Sequence, residues 1–133
     1  MSSLHQRAAA EYRRTEIQSG TPLELVVRLY DAAVAELVRA STAMRTGDLR
    51  VKRDALSRAF AILGELQAAL DLKRGGDIAA SLDALYTYAI RRLSEGNADR
   101  DPGAFDEIAA LLAPLRDAWR QISTGQVPSR GTA

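Results

Sequence analysis

The sequence predicts an all-α protein, an antiparallel up-down-up-down four-helix bundle with a mobile N-terminal arm. Four successive stretches place apolar residues three and four positions apart, which is the pattern of amphipathic helices. Each stretch is about twenty residues and therefore about 30 Å long. Short turns join the stretches, and short turns place consecutive helices side by side in opposite directions. A chain of 133 residues is one domain of ordinary size.

The first helical stretch, residues 21–44, carries the clearest boundaries. Thr21 and Glu24 form the reciprocal capping box expected at a helix start, and Pro22 stands at the first helical position. Gly47 follows as a left-handed stop. The inner apolar stripe is expected at Leu23, Val27, Tyr30, Val34 and Leu37. A second row, Leu25, Leu29 and Ala32, lies beside it, so we expect this helix to touch more than one neighbour.

The second and third stretches are separated by a glycine pair. Asp48 is the expected N-cap of the second helix, and Gly75-Gly76 is its expected stop. The third helix is predicted to start at Asp77 and to close near residues 96–97. Its inner stripe is expected at Ile78, Leu82, Leu85, Ala89 and Leu93. Tyr86, Tyr88 and Ile90 are expected off that stripe, on other sides.

The fourth helix is expected to begin with Asp101 as N-cap and Pro102 at the first helical position. Pro114 lies inside its pattern, where the proline ring crowds the carbonyl of Ala110, so a kink is expected. The predicted divisions are an arm over residues 1–20, the bundle over 21–122 and a disordered tail over 123–133. The arm is expected to dock through Leu4, Tyr12 and Ile17, and a disordered terminus is the alternative.

The composition of the chain excludes several classes of protein. The net charge is +1, which gives no field to recruit nucleic acid or an anionic membrane. The absence of cysteine excludes disulfides and thiol chemistry. No apolar signal segment and no run of about 20 apolar residues occurs, so we expect a cytoplasmic protein without membrane insertion.

Candidate catalytic and cofactor residues are scarce, so the sequence predicts neither an enzyme nor a cofactor or metal site. The only histidine, His5, stands on the arm, whereas a di-iron bundle needs Glu-x-x-His on two helices. Asp31 flanks the inner stripe of the first helix. It is expected to form an interhelical salt bridge with Arg91 or Arg92, and carboxylates without a base, nucleophile or metal do not make an active site.

Several stretches together resemble the FliS family of flagellar export chaperones. They are T-P-L-E-L-V-V-R-L-Y-D-A-A-V at 21–34, G-G-D-I-A-A-S-L-D-A-L-Y-T-Y-A-I-R-R-L at 75–93, Asn97, and L-R-D-A-W at 115–119. The resemblance spans about residues 10–122. Its motifs are individually common, and their order and spacing carry the match. Pro114 departs from the uninterrupted fourth helix that the resemblance leads us to expect.

The resemblance implies a cytosolic chaperone that binds the disordered C-terminal segment of flagellin. Such a chaperone blocks premature filament assembly and keeps the subunit fit for type III export, with the export apparatus as a further partner. The residues expected to contact flagellin are Leu25, Leu29, Tyr86, Tyr88, Ile90, Arg91 and Asn97. Tyr12 and Ile17 match the family's groove-covering arm. Helix termination and capping explain Arg91 and Asn97 equally well.

The alternative from another class is a self-associating regulatory or adaptor bundle without flagellin as its client. Such a protein would use the same apolar surface on a second copy of itself. A monomer or a weak homodimer is compatible with the chaperone reading, so the oligomeric state without client separates the two hypotheses.

Overall fold

A computed structural model describes residues 22–125, which form four helices: α1 (Pro22–Thr46), α2 (Leu49–Ala68), α3 (Leu72–Ala98) and α4 (Pro102–Ser123). Helix α1 packs against α2 and α4, and α3 packs against the same two helices, so α1 and α3 are diagonal neighbours. Ion pairs at both ends of α1 and α4 show that these helices are antiparallel: Arg45 with Asp106 and Asp31 with Arg120. The predicted all-α four-helix bundle is confirmed.

The helix ends follow local sequence signals. The carboxylates of Asp48 and Asp101 accept hydrogen bonds from the backbone N–H groups of Val51 and Gly103, at 3.2 and 3.0 Å. Both predicted N-caps are therefore confirmed. Gly47 has a φ of +83° and ends α1, as predicted. The capping box at Thr21 lies outside the described residues.

The boundary between α2 and α3 differs from the prediction. Helix α2 ends at Ala68 rather than at the glycine pair, and α3 begins at Leu72 rather than at Asp77. The Asp71 carboxylate caps the new start by accepting from the Arg74 N–H at 3.0 Å. Gly76 interrupts α3 with φ +56° and ψ −134°. Because glycine adopts positive φ without a steric cost, it bends the chain within α3 instead of ending α2.

The buried face of α3 departs from the predicted stripe in the first half of the helix, whereas the predicted positions Ala89 and Leu93 are buried. Ile78, predicted inside, is 72% exposed, while Ala79 is buried. The observed line runs through Ala79, Tyr86, Ala89, Leu93 and Gly96. Tyr86, predicted off the stripe, is 2% exposed. Its hydroxyl lies 2.5 Å from the Tyr30 hydroxyl across the diagonal of the bundle, so the ring is buried with its polar atom satisfied.

The aromatic centre of the bundle also contains Trp119 of α4. Its ring centroid lies 6.4 Å from that of Tyr30, whose predicted core position is confirmed by complete burial. The Trp119 indole N–H is buried and has no hydrogen-bond partner among residues 22–125. Helix α4 extends past Pro114 to Ser123. The kink at Pro114 stays a prediction.

Candidate binding site between α2 and α3

The seam between α2 and α3 is held by polar links at its two ends. Among the four neighbouring helix pairs of the described chain, these two backbones approach each other at the fewest positions. At one end the Gln67 amide donates to Asp83 Oδ1 and Thr87 Oγ1, at 2.9 and 2.8 Å. At the other end Lys52 Nζ donates to Asn97 Oδ1 at 2.7 Å. Few backbone positions of α2 and α3 therefore lie close together along the seam.

Apolar side chains occupy the part of the seam between the two links. Phe60 of α2 and Ile90 of α3 pack against the core but keep part of their surface exposed. Ile90 shares a helix face with Thr87 and Asn97, because residues three and seven positions apart lie on one side of a helix. The middle of the seam is consequently an apolar groove that opens to solvent.

Two cavities continue this groove to one end of the bundle. The first holds about 200 Å³ and is lined by Lys52, Arg53, Leu56, Ser57, Phe60 and Asn97. The second holds about 590 Å³ beneath the two turns at this end, and its lining includes Met44, Arg45, Leu49, Lys52, Asn97, Arg100 and Pro102. Lys52 and Asn97 line both cavities, so the two are adjacent and share this hydrogen-bonded pair as their border. We call the pair the α2/α3 trough and the larger member the end cavity.

The α2/α3 trough combines an apolar floor with a cationic rim. Leu56 and Phe60 form apolar walls in the smaller cavity, and Leu49 of the end cavity is 54% exposed. An elongated apolar groove with charged groups at its edge suits an amphipathic peptide, whose apolar face enters the groove while its polar face remains in water.

Comparison with known proteins identifies the family. A family model described as flagellar protein FliS matches residues 5–126. The chain belongs to the FliS family. It is 42% identical over 108 residues to the flagellar secretion chaperone FliS of Salmonella typhimurium, covering 80% of each chain. It is 34% identical over 121 residues to the flagellar secretion chaperone FliSB of Pseudomonas aeruginosa, covering 88% of this chain and 96% of the relative. The Bacillus subtilis flagellar secretion chaperone FliS is 32% identical over 110 residues.

The sequence-predicted contact residues of this FliS family member do not form one surface. Ile90 and Asn97 lie at the α2/α3 seam. Leu25 and Leu29 are half-buried on α1, the diagonal neighbour of α3, and line neither cavity. Tyr86 lies in the core, which corrects its expected position, and has almost no surface for a ligand. Tyr12 and Ile17 lie outside the described residues.

Tyr88 and Arg91 belong to a separate polar cluster at the contact of α3 with α4. The Tyr88 hydroxyl donates to Glu107 Oε2, and the Arg91 guanidinium lies 5.5 Å from the centroid of the Tyr88 ring. Arg92 Nε donates to Glu107 Oε1 at 2.8 Å. The hydrogen bonds from Tyr88 and then Arg92 lower the pKa of the Glu107 carboxyl. Tyr88, Arg92 and Glu107 of this cluster join the two helices, whereas the Arg91 side chain is 65% exposed, and the flagellin contacts of Tyr88 and Arg91 stay a prediction.

The expected salt bridge of Asp31 forms with different partners. Arg120 Nη2 lies 2.9 Å from both carboxylate oxygens of Asp31, and Arg116 Nε lies 3.5 Å from one of them. Arg91 and Arg92 were the predicted partners, and that prediction is wrong because α3 is diagonal to α1. The interpretation of Asp31 as an interhelical ion pair is correct.

Most residues of the trough were missed by sequence reasoning. Phe60 was recognisable as an apolar residue of the second helical stretch, but Lys52 and Arg100 carry no sequence signal for a site. Within residues 22–125 no group of three His, Cys, Asp or Glu side chains could hold a metal ion. None of the helices in that range has the length and apolar character needed to cross a membrane.

Proposed function

We propose that this protein is a cytoplasmic export chaperone that binds the disordered C-terminal segment of flagellin. Binding would prevent polymerisation before export and keep the subunit competent for flagellar type III secretion. Its relatives are named flagellar secretion chaperones. The observation that carries the proposal is the α2/α3 trough, which exposes apolar surface at the seam where neighbouring helix backbones approach each other least often.

The physical chemistry of the trough fits a client that folds as it binds. An ordering segment loses conformational entropy, which must be offset by burial of apolar surface along an extended contact. Phe60, Ile90 and Leu49 supply such surface along one side of the bundle. A client held there in a folded form would have its own apolar assembly residues covered, which explains how binding prevents polymerisation.

The test compares intact flagellin with flagellin that lacks its C-terminal segment, titrated into the chaperone by calorimetry. We expect binding to intact flagellin only. Equal affinity for both forms would refute the proposal.

A pair of aliphatic substitutions locates the contact. Leu49→Ala removes a 54% exposed side chain from the end cavity, and Ile78→Ala removes a 72% exposed one outside the trough. Neither change should affect folding, since both residues are largely in water. Loss of about 1–2 kcal/mol of apolar contact at Leu49 weakens flagellin binding by roughly 5–30-fold. Ile78→Ala should leave the affinity unchanged, and equal effects of the two changes would exclude the trough.

The predicted arm gives a second experiment on the same function. If residues carrying Tyr12 and Ile17 cover part of the groove, deletion of residues 1–18 will accelerate or tighten flagellin binding. Unchanged rates would show that this segment does not compete with the client. A stable dimer in sedimentation without client would favour the self-associating bundle instead.

A further inference from the structure

Arg100 has a backbone conformation that glycine adopts at the equivalent point of the neighbouring turn. The two turns at this end of the bundle are closed in the same way, by hydrogen bonds of 2.8 Å from Asp48 N–H to Ala43 O and from Asp101 N–H to Gly96 O. The left-handed residue is Gly47 in the first turn and Arg100, with φ +54°, in the second. A residue with a Cβ is disfavoured there, so the turn alone does not explain an arginine.

The Arg100 side chain lines the end cavity without an acidic partner. Among residues 22–125 no carboxylate lies within 4.0 Å of its guanidinium nitrogens. The other cations of the cavity are engaged: Arg45 lies 2.9 Å from Asp106, and Lys52 donates to the neutral amide of Asn97. No acidic residue within the described range 22–125 lines the cavity, and the nearby carboxylates of Asp48 and Asp101 cap α2 and α4. The cavity therefore has an excess of positive charge.

From these observations we infer that the end cavity binds a side-chain carboxylate of the client segment and that Arg100 determines this specificity. The inference rests on the proposed function. A guanidinium offers several donors in one plane, and their geometry matches a carboxylate. The turn fixes the backbone position from which the Arg100 side chain extends. The apolar groups beside it, Met44 and Leu49, would contact the carbon chain of the same Asp or Glu residue. Their presence favours a carboxylate carried by a peptide over a small inorganic anion.

The adjacency of the two cavities supports the choice of a peptide side chain. Lys52 and Asn97 border both cavities, so a segment lying over Phe60 would reach the end cavity by passing over this pair. The apolar groove holds the segment, and the exposed Arg100 cation favours the register that brings a client carboxylate beside it, because complementary charges fix register in an interface.

The experiment uses Arg100→Gly, a variant that separates binding from stability. Glycine relieves the left-handed strain, so we expect a higher midpoint in urea denaturation and about tenfold weaker binding of flagellin. A more stable protein that binds less tightly cannot have lost affinity through unfolding. Arg100→Lys keeps the charge but loses the planar fork, so its affinity should be intermediate. Arg74→Lys is the control: its side chain is 91% exposed and lines neither cavity, so this variant should bind as the wild type does.

The client provides the complementary variants. Asp→Asn and Glu→Gln substitutions along a synthetic peptide of the flagellin C-terminal segment should include one that weakens binding to the wild type and has no further effect on Arg100→Gly. Salt should weaken wild-type binding more than binding by Arg100→Gly. Amidation of the peptide C-terminus is expected to have no effect. Sensitivity to amidation without sensitivity to any side-chain substitution would overturn the side-chain assignment.

The possible failures are distinguishable. If the wild type binds flagellin and Arg100→Gly binds within twofold of it, the inference is wrong and the chaperone function stands. If the wild type does not bind flagellin, both the proposed chaperone function and the inference about Arg100 are wrong.

Discussion

The hydrogen bond between Tyr30 and Tyr86 gives the most direct test of how the core is held. It joins two helices that are diagonal in the bundle, and both rings are buried, at 0% and 2% exposure. Replacing Tyr86 by Phe removes one hydroxyl and leaves the Tyr30 hydroxyl in the core without its partner. A buried polar group that loses its partner costs about 1–3 kcal/mol, and this is the expected loss of unfolding free energy.

The double variant distinguishes the hydrogen bond from simple packing. In Tyr30→Phe/Tyr86→Phe no hydroxyl is left unsatisfied, and the ring volumes are nearly conserved. We therefore expect the double variant to be about as stable as either single variant or more stable, with a coupling of about 1–2 kcal/mol.

The assay is urea denaturation followed by the fluorescence of Trp119, the only tryptophan of the chain, whose ring centroid is 6.4 Å from that of Tyr30. If the double variant loses as much unfolding free energy as the two single variants together, the reasoning is refuted. Losses below about 0.5 kcal/mol in each single variant would also refute it.

Four further predictions follow from the same structure. Gly96→Ala should destabilise the bundle by about 1–3 kcal/mol in urea denaturation, because a Cβ there would collide with the Ala104 side chain at the contact of α3 with α4. Gly64→Ala, in a helix with no atom within 4 Å of the new Cβ, should instead stabilise it by about 0.5–1 kcal/mol. Burial, and then the hydrogen bond to its partner, raise the pKa of Tyr86. Stability should therefore be intact below pH 10 and fall by up to about 1.4 kcal/mol per pH unit above it, as the unfolded tyrosine ionises; thermal melts of Tyr86→Phe should lack this contribution. The lowered pKa of Glu107 stabilises the fold above the ordinary pKa of 4.5, and this contribution is lost as the pH falls through the folded-state pKa, so melts of Glu107→Gln should vary less in this acid range.

Sequence reasoning succeeded where a feature depends on a few neighbouring residues. The caps Asp48 and Asp101 and the stop at Gly47 are decided within one helical turn, and the four-helix fold follows from the repeat of apolar positions. The same reasoning misplaced the start of α3, since a glycine pair can end a helix or bend one. Only the new N-cap at Asp71 decides between these outcomes.

The register of α3 and the binding site depend on contacts between distant parts of the chain. A stripe through Ile78 and a stripe through Ala79 are both compatible with helical periodicity. The structure has the stripe through Ala79, in which Tyr86 is buried and its hydroxyl pairs with the Tyr30 hydroxyl on the diagonal helix. The trough could not be predicted because it depends on how far α2 stands from α3, a distance that no local pattern encodes. Its Lys52–Asn97 link joins residues 45 positions apart.

The up-down-up-down path also decides how the molecule can be held in an experiment. Pro22 and Ser123 both lie at the end of the bundle that holds the turn between α2 and α3, whereas Arg100 lies at the other end. Helix α1 has 25 residues and is about 37 Å long. Anchoring the bundle to a sensor chip through the start of α1 or the end of α4 would therefore leave the end cavity turned toward the flowing solution.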